Sequence, residues 1–157
     1  ADERLSGVTL SPLGGSSAML GLPGDATSPS RFVRAAFLKA TAPVQAMINT
    51  ALFEWVVENL MKNSLDALQG QGRISVTISS SAEQVFVDVR DTGKGIARSN
   101  WKRIFEPGFT TKTRGWGLGL SLSRRIIEEY HKGRIAVVES EIGKGTTIRI
   151  ALRRMYE

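Results

Sequence analysis

The sequence predicts an α/β fold, a two-layer sandwich in which a mixed, mostly antiparallel sheet is covered on one face by about three helices. Two observations predict this class. Short segments of alternating apolar and polar residues come in pairs separated by brief turns, as in antiparallel hairpins. Segments with apolar residues at helical spacing lie between them, without the regular strand–helix alternation of a doubly wound parallel sheet.

The composition is that of an ordinary globular domain. The chain has 157 residues, of which 41% are hydrophobic and 23% charged. It has no cysteine, which excludes disulfides, thiolate zinc sites and a cysteine nucleophile. No apolar run approaches the roughly 18 residues of a membrane span, so we expect a cytoplasmic domain without membrane contact, even where the parent protein is anchored. The net charge of +6 comes from scattered basic residues, which favours solubility and attraction for phosphate over a nucleic-acid surface.

The chain divides near residue 42, where a stretch rich in Gly, Ser and Pro has ended. We expect residues 1–42 to form an N-terminal segment and residues 43–157 to form the main domain. Within the segment we expect a strand at Gly7–Leu10 and a helix at Ser30–Ala40, capped by its first serine.

The main domain begins with an expected strand, Val44–Ile48, and a helix that runs from an N-cap at Thr50 to about Leu68. Gly70 and Gly72 end this helix. The elements expected after it are a hairpin of Ile74–Ile78 and Val85–Val89, a short helix at Ser99–Phe105, a longer helix at Leu120–His131, and strands at Arg134–Ser140 and Thr146–Leu152.

Two amides on the first helix are candidates for a ligand site. Asn59 and Asn63 are four residues apart, so they share one helix face, beside the apolar residues Val56 and Leu60. A buried amide without a partner costs about 1–3 kcal/mol, so each needs a hydrogen bond or a ligand. One interpretation is a hydrogen bond from helix to loop. The other makes the Asn63 side-chain oxygen a ligand of Mg²⁺, which prefers oxygen donors.

A carboxylate at a strand end is the second candidate. Asp91 follows the alternating strand and precedes Gly93 and Gly95. An isolated Asp-x-Gly usually starts a turn. A functional interpretation is that the carboxylate accepts a hydrogen bond from an exocyclic amine such as that of adenine, while the glycines let a flat base approach the backbone. A calcium loop is excluded, because glycines occupy positions that require oxygen ligands.

Three glycines, Gly115, Gly117 and Gly119, precede the longer helix. They match neither the phosphate loop nor the dinucleotide pattern. They do place flexible backbone at a helix start, where N–H groups favour phosphate, and Lys112 and Arg114 add positive charge just before it. By themselves these residues predict only a loop.

The order of these segments is more informative than any one of them. Together they resemble the N, G1, F, G2 and terminal Gly-Thr motifs of the Bergerat ATP-binding fold, and most of all the catalytic ATP-binding domain of bacterial sensor histidine kinases. The resemblance covers about Val44–Leu152. The matching segments are Asn63, Asp91–Ile96, Phe105–Lys112, Gly115–Leu120 and Gly143–Thr147.

The resemblance implies that the domain binds ATP and Mg²⁺ and transfers a phosphoryl group to a histidine on a separate dimerisation domain, and through it to a response regulator, without direct contact to nucleic acid. It implies that Asn63 binds Mg²⁺, that Asn59 and Lys112 act at the phosphates, and that Asp91 binds adenine N6. The other residues that it places around the nucleotide, the glycines forming a mobile lid, are Gly93, Gly95, Ile96, Phe105, Thr110, Thr111, Gly115, Gly117, Leu118, Gly119, Leu120 and Thr146.

Position 59 distinguishes between reaction types. Hydrolysing relatives carry a glutamate there as the base that activates water, so Asn59 favours phosphoryl transfer, which relies on positioning and charge neutralisation. Two alternatives stay open. One is another ATPase of this fold or a serine kinase of the anti-sigma type, and the other is a non-catalytic module that binds protein or nucleic acid.

His131 is the only histidine of the chain. It ends a core helix inside the matching segment, so we expect a structural role at the helix terminus and a phosphoacceptor histidine elsewhere.

The N-terminal segment resembles a different family. Met19–Lys39 is similar to an internal segment of the choloylglycine hydrolases, in which an arginine matching Arg31 belongs to the active site. The catalytic residue of that family is an N-terminal cysteine, and this chain has no cysteine. We therefore expect no hydrolase activity, and the segment is either a fused fragment or a lead-in strand and helix.

Overall fold

One sheet of eight strands organises the part of the chain that the computed structural model describes, residues 6–10, 18–20, 32–40, 44–110 and 117–156. For the first three ranges the structure describes the backbone only. The strands, in chain order, are β1 Ser6–Leu10, β2 Ala18–Leu20, β3 Phe32–Ala40, β4 Val44–Ile48, β5 Gln71–Ser80, β6 Gln84–Asp91, β7 Arg134–Glu141 and β8 Gly145–Met155.

The sheet has the order β1-β4-β8-β6-β5-β3-β2, and β7 also pairs with β8. Among the described strands the pairs are antiparallel except for β3 and β5, which run parallel. The mixed, mostly antiparallel sheet is therefore confirmed. Strand β8 pairs with β6 along one edge. Along its other edge it pairs with β7 and then, at Arg154 and Met155, with β4.

Helices cover one face of this sheet. Helix α1 spans Thr50–Leu68 and packs on β5 and β6. Helix α2 spans Gly119–Arg125, continues as a π-helical turn at Ile126–Tyr130, and packs on α1 and β7. The third helical segment consists of two 3-10 turns, Arg98–Asn100 and Arg103–Phe105, where one short helix was predicted. The two-layer arrangement is confirmed.

The hydrophobic core lies between the helices and the covered face. Val87 and Val89 of β6 are buried, as are Leu60 of α1 and Ile127 of the π-helical turn. Burying an aliphatic side chain of this size contributes about 1.5–3 kcal/mol. Because alternate residues of a strand share a face, Asp91 points to the same side as Val89. The strand therefore carries this carboxylate to the edge of the core.

The helix predicted at Ser30–Ala40 is wrong, because Phe32–Ala40 forms strand β3. Strand β3 pairs with the edge of β5, where Phe37 is the register partner of Ser75. An open sheet edge offers N–H and C=O groups, and pairing with it satisfies the backbone of β3 as a helix would have done. The strand predicted at Gly7–Leu10 is confirmed as β1, which pairs with β4.

Helix α1 ends at the predicted residue, but its N-cap lies one residue before the predicted one. The N-cap is Asn49, whose Oδ1 accepts the backbone N–H of Leu52 at 3.0 Å, and not Thr50. Both residue types cap helices well, so the sequence does not decide between neighbours. At the other end Gln69 and Gly70 have φ of 52° and 92°, which ends the helix. Among the described residues, none of the helices combines the length and apolar character that a bilayer span needs.

Candidate nucleotide site

The Asp91 carboxylate lies at the end of β6, and only 6% of the residue is exposed. It accepts the backbone N–H of Gly93 at 2.9 Å, the hydroxyl of Ser64 on α1 and the backbone N–H of Thr146 on β8. Burial raises the pKa of Asp91, and these hydrogen bonds oppose the rise because they favour the charged form. A carboxylate has about four acceptor positions, so the three donors leave one for a ligand.

Three side chains from neighbouring strands form a polar row at this edge. Thr146 of β8 is the register partner of Asp91, and Ser140 of β7 is the register partner of Thr146. The register of β7 shifts by one residue at Val138. Because of this bulge, Ser140 faces the covered side of the sheet together with Thr146. The Ser140 and Thr146 hydroxyl oxygens are 2.7 Å apart.

The two amides predicted on α1 lie on the same side of the molecule as this row. Asn59 Nδ2 donates to the Ser123 hydroxyl at 3.1 Å, which connects α1 with the first turns of α2. Asn63 is half-buried, and the next residue, Ser64, contacts Asp91 directly. The structure thus brings the segment of Asn63 (the N motif) next to the segment that begins at Asp91 (the G1 motif), as the sequence predicted.

Gly93 and Gly95 are packed tightly against other parts of the chain. A Cβ at Gly93 would lie 2.5 Å from the Ala67 carbonyl oxygen, and one at Gly95 would lie 2.1 Å from the Glu141 carbonyl oxygen. Gly95 also has φ of 76°, which side-chain-bearing residues rarely adopt. This packing explains both glycines without a ligand, so their part in a base pocket stays a prediction.

The described end of the glycine stretch leads into α2. The Gly108 N–H donates to the Gly117 carbonyl oxygen at 3.0 Å, so the chain before and after residues 111–116 is joined there. Gly119 lies directly against Asn59, since a Cβ at that position would be 2.4 Å from the Asn59 Oδ1. The helix that carries the amides therefore contacts the backbone at the start of α2.

The remaining predicted site residues differ in how deeply they are buried. Phe105 belongs to the hydrophobic core, and Ile96 and Leu120 pack against it. Thr110 and Leu118 are exposed. Three predicted residues lie outside the described residues, namely Thr111, Lys112 and Gly115.

The donor set suits a metal ion that arrives with a nucleotide. In the described ranges no group of three or more His, Cys, Asp or Glu side chains is placed to hold a metal by itself. Mg²⁺ commonly takes one or two protein ligands and completes its shell with waters and phosphates. The half-buried amide of Asn63, one residue from Ser64, fits that pattern.

His131 has the geometry of a structural residue. It is 6% exposed, its Nε2 accepts the backbone N–H of Asn49 at 3.0 Å, and its Nδ1 donates to the Ile126 carbonyl oxygen at 2.9 Å. The ring also contacts Phe53 of α1, with centroids 6.1 Å apart. Both ring nitrogens therefore bind backbone groups and connect the π-helical turn with the start of α1, in keeping with the expected helix-terminal role.

Sequence reasoning missed three serines of the site. Ser64 lies four residues from both Leu60 and Leu68 on the core stripe, so helical spacing could have identified it as buried. Ser123 is fully buried opposite Asn59, and Ser140 reaches the covered face only through the bulge in β7. The spacing from Leu120 and Ile127 could likewise have identified Ser123 as buried, whereas the position of Ser140 depends on contacts with distant segments.

Comparison with known proteins identifies the family of the main domain. The family described as "Histidine kinase-, DNA gyrase B-, and HSP90-like ATPase" matches residues 49–155. A second family, linear amide C–N hydrolases of the choloylglycine hydrolase type, matches residues 1–54, which include the segment that resembled it.

Two curated relatives are histidine or sporulation kinases. Sporulation kinase E of Bacillus subtilis (strain 168) is 45% identical over 95 residues, which are 60% of this chain and 13% of that protein. Sensor histidine kinase ZraS of Escherichia coli (strain K12) is 45% identical over 97 residues, which are 62% of this chain and 20% of that protein. This chain therefore spans a fifth or less of the length of these relatives.

A solved structure agrees with these relatives. The catalytic domain of histidine kinase ThkA is 30% identical and has a TM-score of 0.67, covering 74% of this chain and 78% of that one. The fold and these similarities define a catalytic ATPase domain of the histidine kinase type. The chain belongs to the histidine kinase-, DNA gyrase B- and HSP90-like ATPase family, as the order of its motifs predicted.

Proposed function

We propose that residues 43–157 are the ATP- and Mg²⁺-binding catalytic domain of a sensor histidine kinase, which transfers the γ-phosphoryl group to a histidine on a separate dimerisation domain. One observation carries the proposal. The buried Asp91 carboxylate is held by three donors and keeps one acceptor position for an amine. Family membership and the kinase relatives support it.

The base end of the nucleotide lies at Asp91. A buried carboxylate repels phosphate but attracts the N6 amine of adenine, so it favours the orientation in which the base lies beside it. Thr146 borders the same position from β8. The other residues assigned to the nucleotide are Gly93, Gly95, Ile96, Phe105, Thr110, Thr111, Gly115, Gly117, Leu118, Gly119 and Leu120.

The phosphate end lies between α1 and the start of α2. Asn63 supplies an amide oxygen for Mg²⁺, and Lys112 adds positive charge. When bound, Mg²⁺ neutralises charge on the phosphates. Asn59 holds the first turns of α2 in position through Ser123, which fixes the backbone to which the glycine lid is attached.

Transfer is favoured over hydrolysis by the residue types near this end. The Asn59 amide cannot accept a proton from water, and its Nδ2 is engaged by Ser123. Glu58, the adjacent carboxylate, is exposed on another face of α1. Of the described residues at this turn of α1, neither Asn59 nor Glu58 therefore supplies a base for hydrolysis.

The partners are a phosphoacceptor histidine domain and, through it, a response regulator, in the cytoplasm. Histidine kinase ThkA has been solved in complex with the response regulator TrrA, and it is 27% identical to this chain with a TM-score of 0.65, covering 75% of this chain and 33% of that one. Leu118 and Leu122 at the start of α2 are 45% and 42% exposed. We assign Leu122 to the surface that contacts the phosphoacceptor helices, while Leu118 stays with the residues around the nucleotide.

A labelling experiment tests this function. The chain is incubated with γ-labelled ATP, Mg²⁺ and a histidine-containing dimerisation domain, and the label is analysed by its stability in acid and alkali. We expect an acid-labile, alkali-stable label on the partner's histidine and little release of free phosphate. Steady hydrolysis or a label on serine would favour another ATPase or an anti-sigma-type kinase. Salt-sensitive DNA binding without any nucleotide binding would favour a non-catalytic module.

A further inference from the structure

The Ser140 hydroxyl makes three contacts next to the polar row. It accepts the backbone N–H of Ile96 at 2.7 Å, it lies 3.0 Å from the Gly145 carbonyl oxygen, and it lies 2.7 Å from the Thr146 hydroxyl oxygen. A hydroxyl has one proton to donate and two acceptor positions. Three contacts therefore use its full capacity.

Only one arrangement of protons satisfies all three contacts. The Gly145 carbonyl can only accept, so the Ser140 proton points to it. The Ile96 N–H can only donate, so it takes one acceptor position of Ser140. The short contact with Thr146 then requires the Thr146 hydroxyl to donate into the second acceptor position. The opposite choice would leave two oxygens without a proton between them at Gly145.

The Thr146 hydroxyl consequently has no proton for a ligand and offers only lone pairs. Thr146 is the register partner of Asp91, so the two side chains are neighbours on the covered face. Asp91, when charged, also offers only lone pairs. The two groups together form a surface of acceptors.

We propose that Ser140 is a specificity-determining positioning residue, which selects 6-aminopurine over 6-oxopurine nucleotides by fixing the Thr146 hydroxyl as an acceptor. This inference rests on the proposed function, because it concerns the base that the same site binds. An amino group at position 6 donates to such a surface, directly or through a water. An oxo group would bring a further acceptor against two acceptors and lose its hydrogen bond.

The test compares ATP and ITP, which carry an amino and an oxo group at position 6 and an unprotonated and a protonated N1, respectively. Each competes with a fluorescent ATP analogue for binding to the full chain. We expect Ser140→Ala to free the Thr146 hydroxyl to rotate and donate, and thereby to lower the ATP-over-ITP preference by about three- to tenfold, the equivalent of one hydrogen bond. Ser140→Thr keeps the hydroxyl and should retain the preference for ATP over ITP. Ser75→Ala, a serine on the opposite face of β5, should leave it unchanged.

A second variant removes the Thr146 hydroxyl while keeping Ser140, so the test does not depend on the folding of Ser140→Ala alone. Thr146→Val should lower the preference as Ser140→Ala does, and the double variant should lower it no further, because both act through one hydroxyl. A folded Ser140→Ala protein with an unchanged preference would overturn the inference, as would additive effects of the two substitutions. Failure of the unmodified chain to bind ATP would overturn the proposed function as well, whereas normal ATP binding with an unchanged preference overturns this inference alone.

Discussion

The Ser123 hydroxyl of α2 accepts a hydrogen bond from the Asn59 side-chain amide of α1 at 3.1 Å. The same hydroxyl donates to the Gly119 carbonyl oxygen at 2.8 Å. One buried oxygen therefore connects the helix that carries Asn63 with the backbone at the last glycine of the glycine stretch. In the proposed kinase, this contact keeps the metal-binding amide and the lid attachment at a constant separation.

Replacing Ser123 with alanine should weaken the contact between the helices. The substitution leaves Asn59 Nδ2 without this partner in a half-buried position, so we expect the free energy of unfolding to fall by about 1–2 kcal/mol. Ser121 of the same helix is the matched control, because its hydroxyl bonds only the nearby Leu118 carbonyl on the exposed side. Denaturant unfolding of Ser121→Ala should change by roughly 0.5 kcal/mol or less. Equal effects of the two substitutions would contradict the proposed connection.

Stability should depend on pH through Asp91. Burial raises its pKa above the ordinary value of 3.8, so the folded chain binds the proton more tightly than the unfolded chain. Stability contributed by protonation is therefore present at low pH and lost as the pH rises from that ordinary value through the raised one. We expect Asp91→Asn to remove this loss, so that the variant gains stability relative to the unmodified chain across that window. Melting curves at several pH values measure the difference, and a gain in the opposite direction would contradict it.

Two glycines of the β7–β8 turn should respond differently to alanine. Gly143 has φ of 82° with open space around it, so Gly143→Ala should cost about 1–2 kcal/mol from backbone strain alone. Gly145 has φ of 128°, and a Cβ there would lie 2.0 Å from the Asp91 carbonyl oxygen. Gly145→Ala should therefore cost about 3 kcal/mol or more, because overpacking adds to the strain. Urea unfolding measures both, and equal costs would contradict the close approach of β8 to Asp91.

His131→Phe should destabilise the domain without removing the phosphoacceptor. The phenyl ring keeps the contact with Phe53 but leaves the Asn49 N–H without its acceptor, at a cost of about 1–3 kcal/mol. Well below the melting temperature, labelling of the partner's histidine should persist. Tyr130→Phe, at a half-exposed neighbouring position, is the control and should be nearly neutral. Loss of all transfer from a folded His131→Phe protein would mean that His131 takes part in the chemistry.

The sequence predicted the main domain well where periodicity determines structure. The spacing of apolar residues placed α1 at its observed end, Leu68, and strict alternation placed β5 and β6. The motif order predicted one site from the segments of Asn63 and Asp91, and Ser64, the residue after Asn63, contacts Asp91. These features depend on local patterns, which a single sequence contains.

The rest depends on contacts between distant segments. The bulge at Val138 decides that Ser140 faces Thr146, and nothing in the alternation of β7 marks that position. Phe32–Ala40 forms strand β3 because its backbone pairs with the edge of β5. The local sequence does not reveal this pairing, so it predicted a helix. His131, which binds the Ile126 carbonyl of the π-helical turn, accepts its other hydrogen bond from Asn49, 82 positions away.

Nucleotide titration of the unmodified chain and of Asp91→Asn tests this account most directly. A fluorescent ATP analogue is added with and without Mg²⁺, and Asp88→Asn serves as the control, since that carboxylate pairs with Arg149 on the uncovered face of the same strand. We predict saturable, Mg²⁺-strengthened binding to the unmodified chain and the control, and a loss of at least about tenfold in affinity for Asp91→Asn, in which an amide replaces the charged acceptor. Equal affinity of Asp91→Asn and the unmodified chain would contradict the assignment of the base pocket.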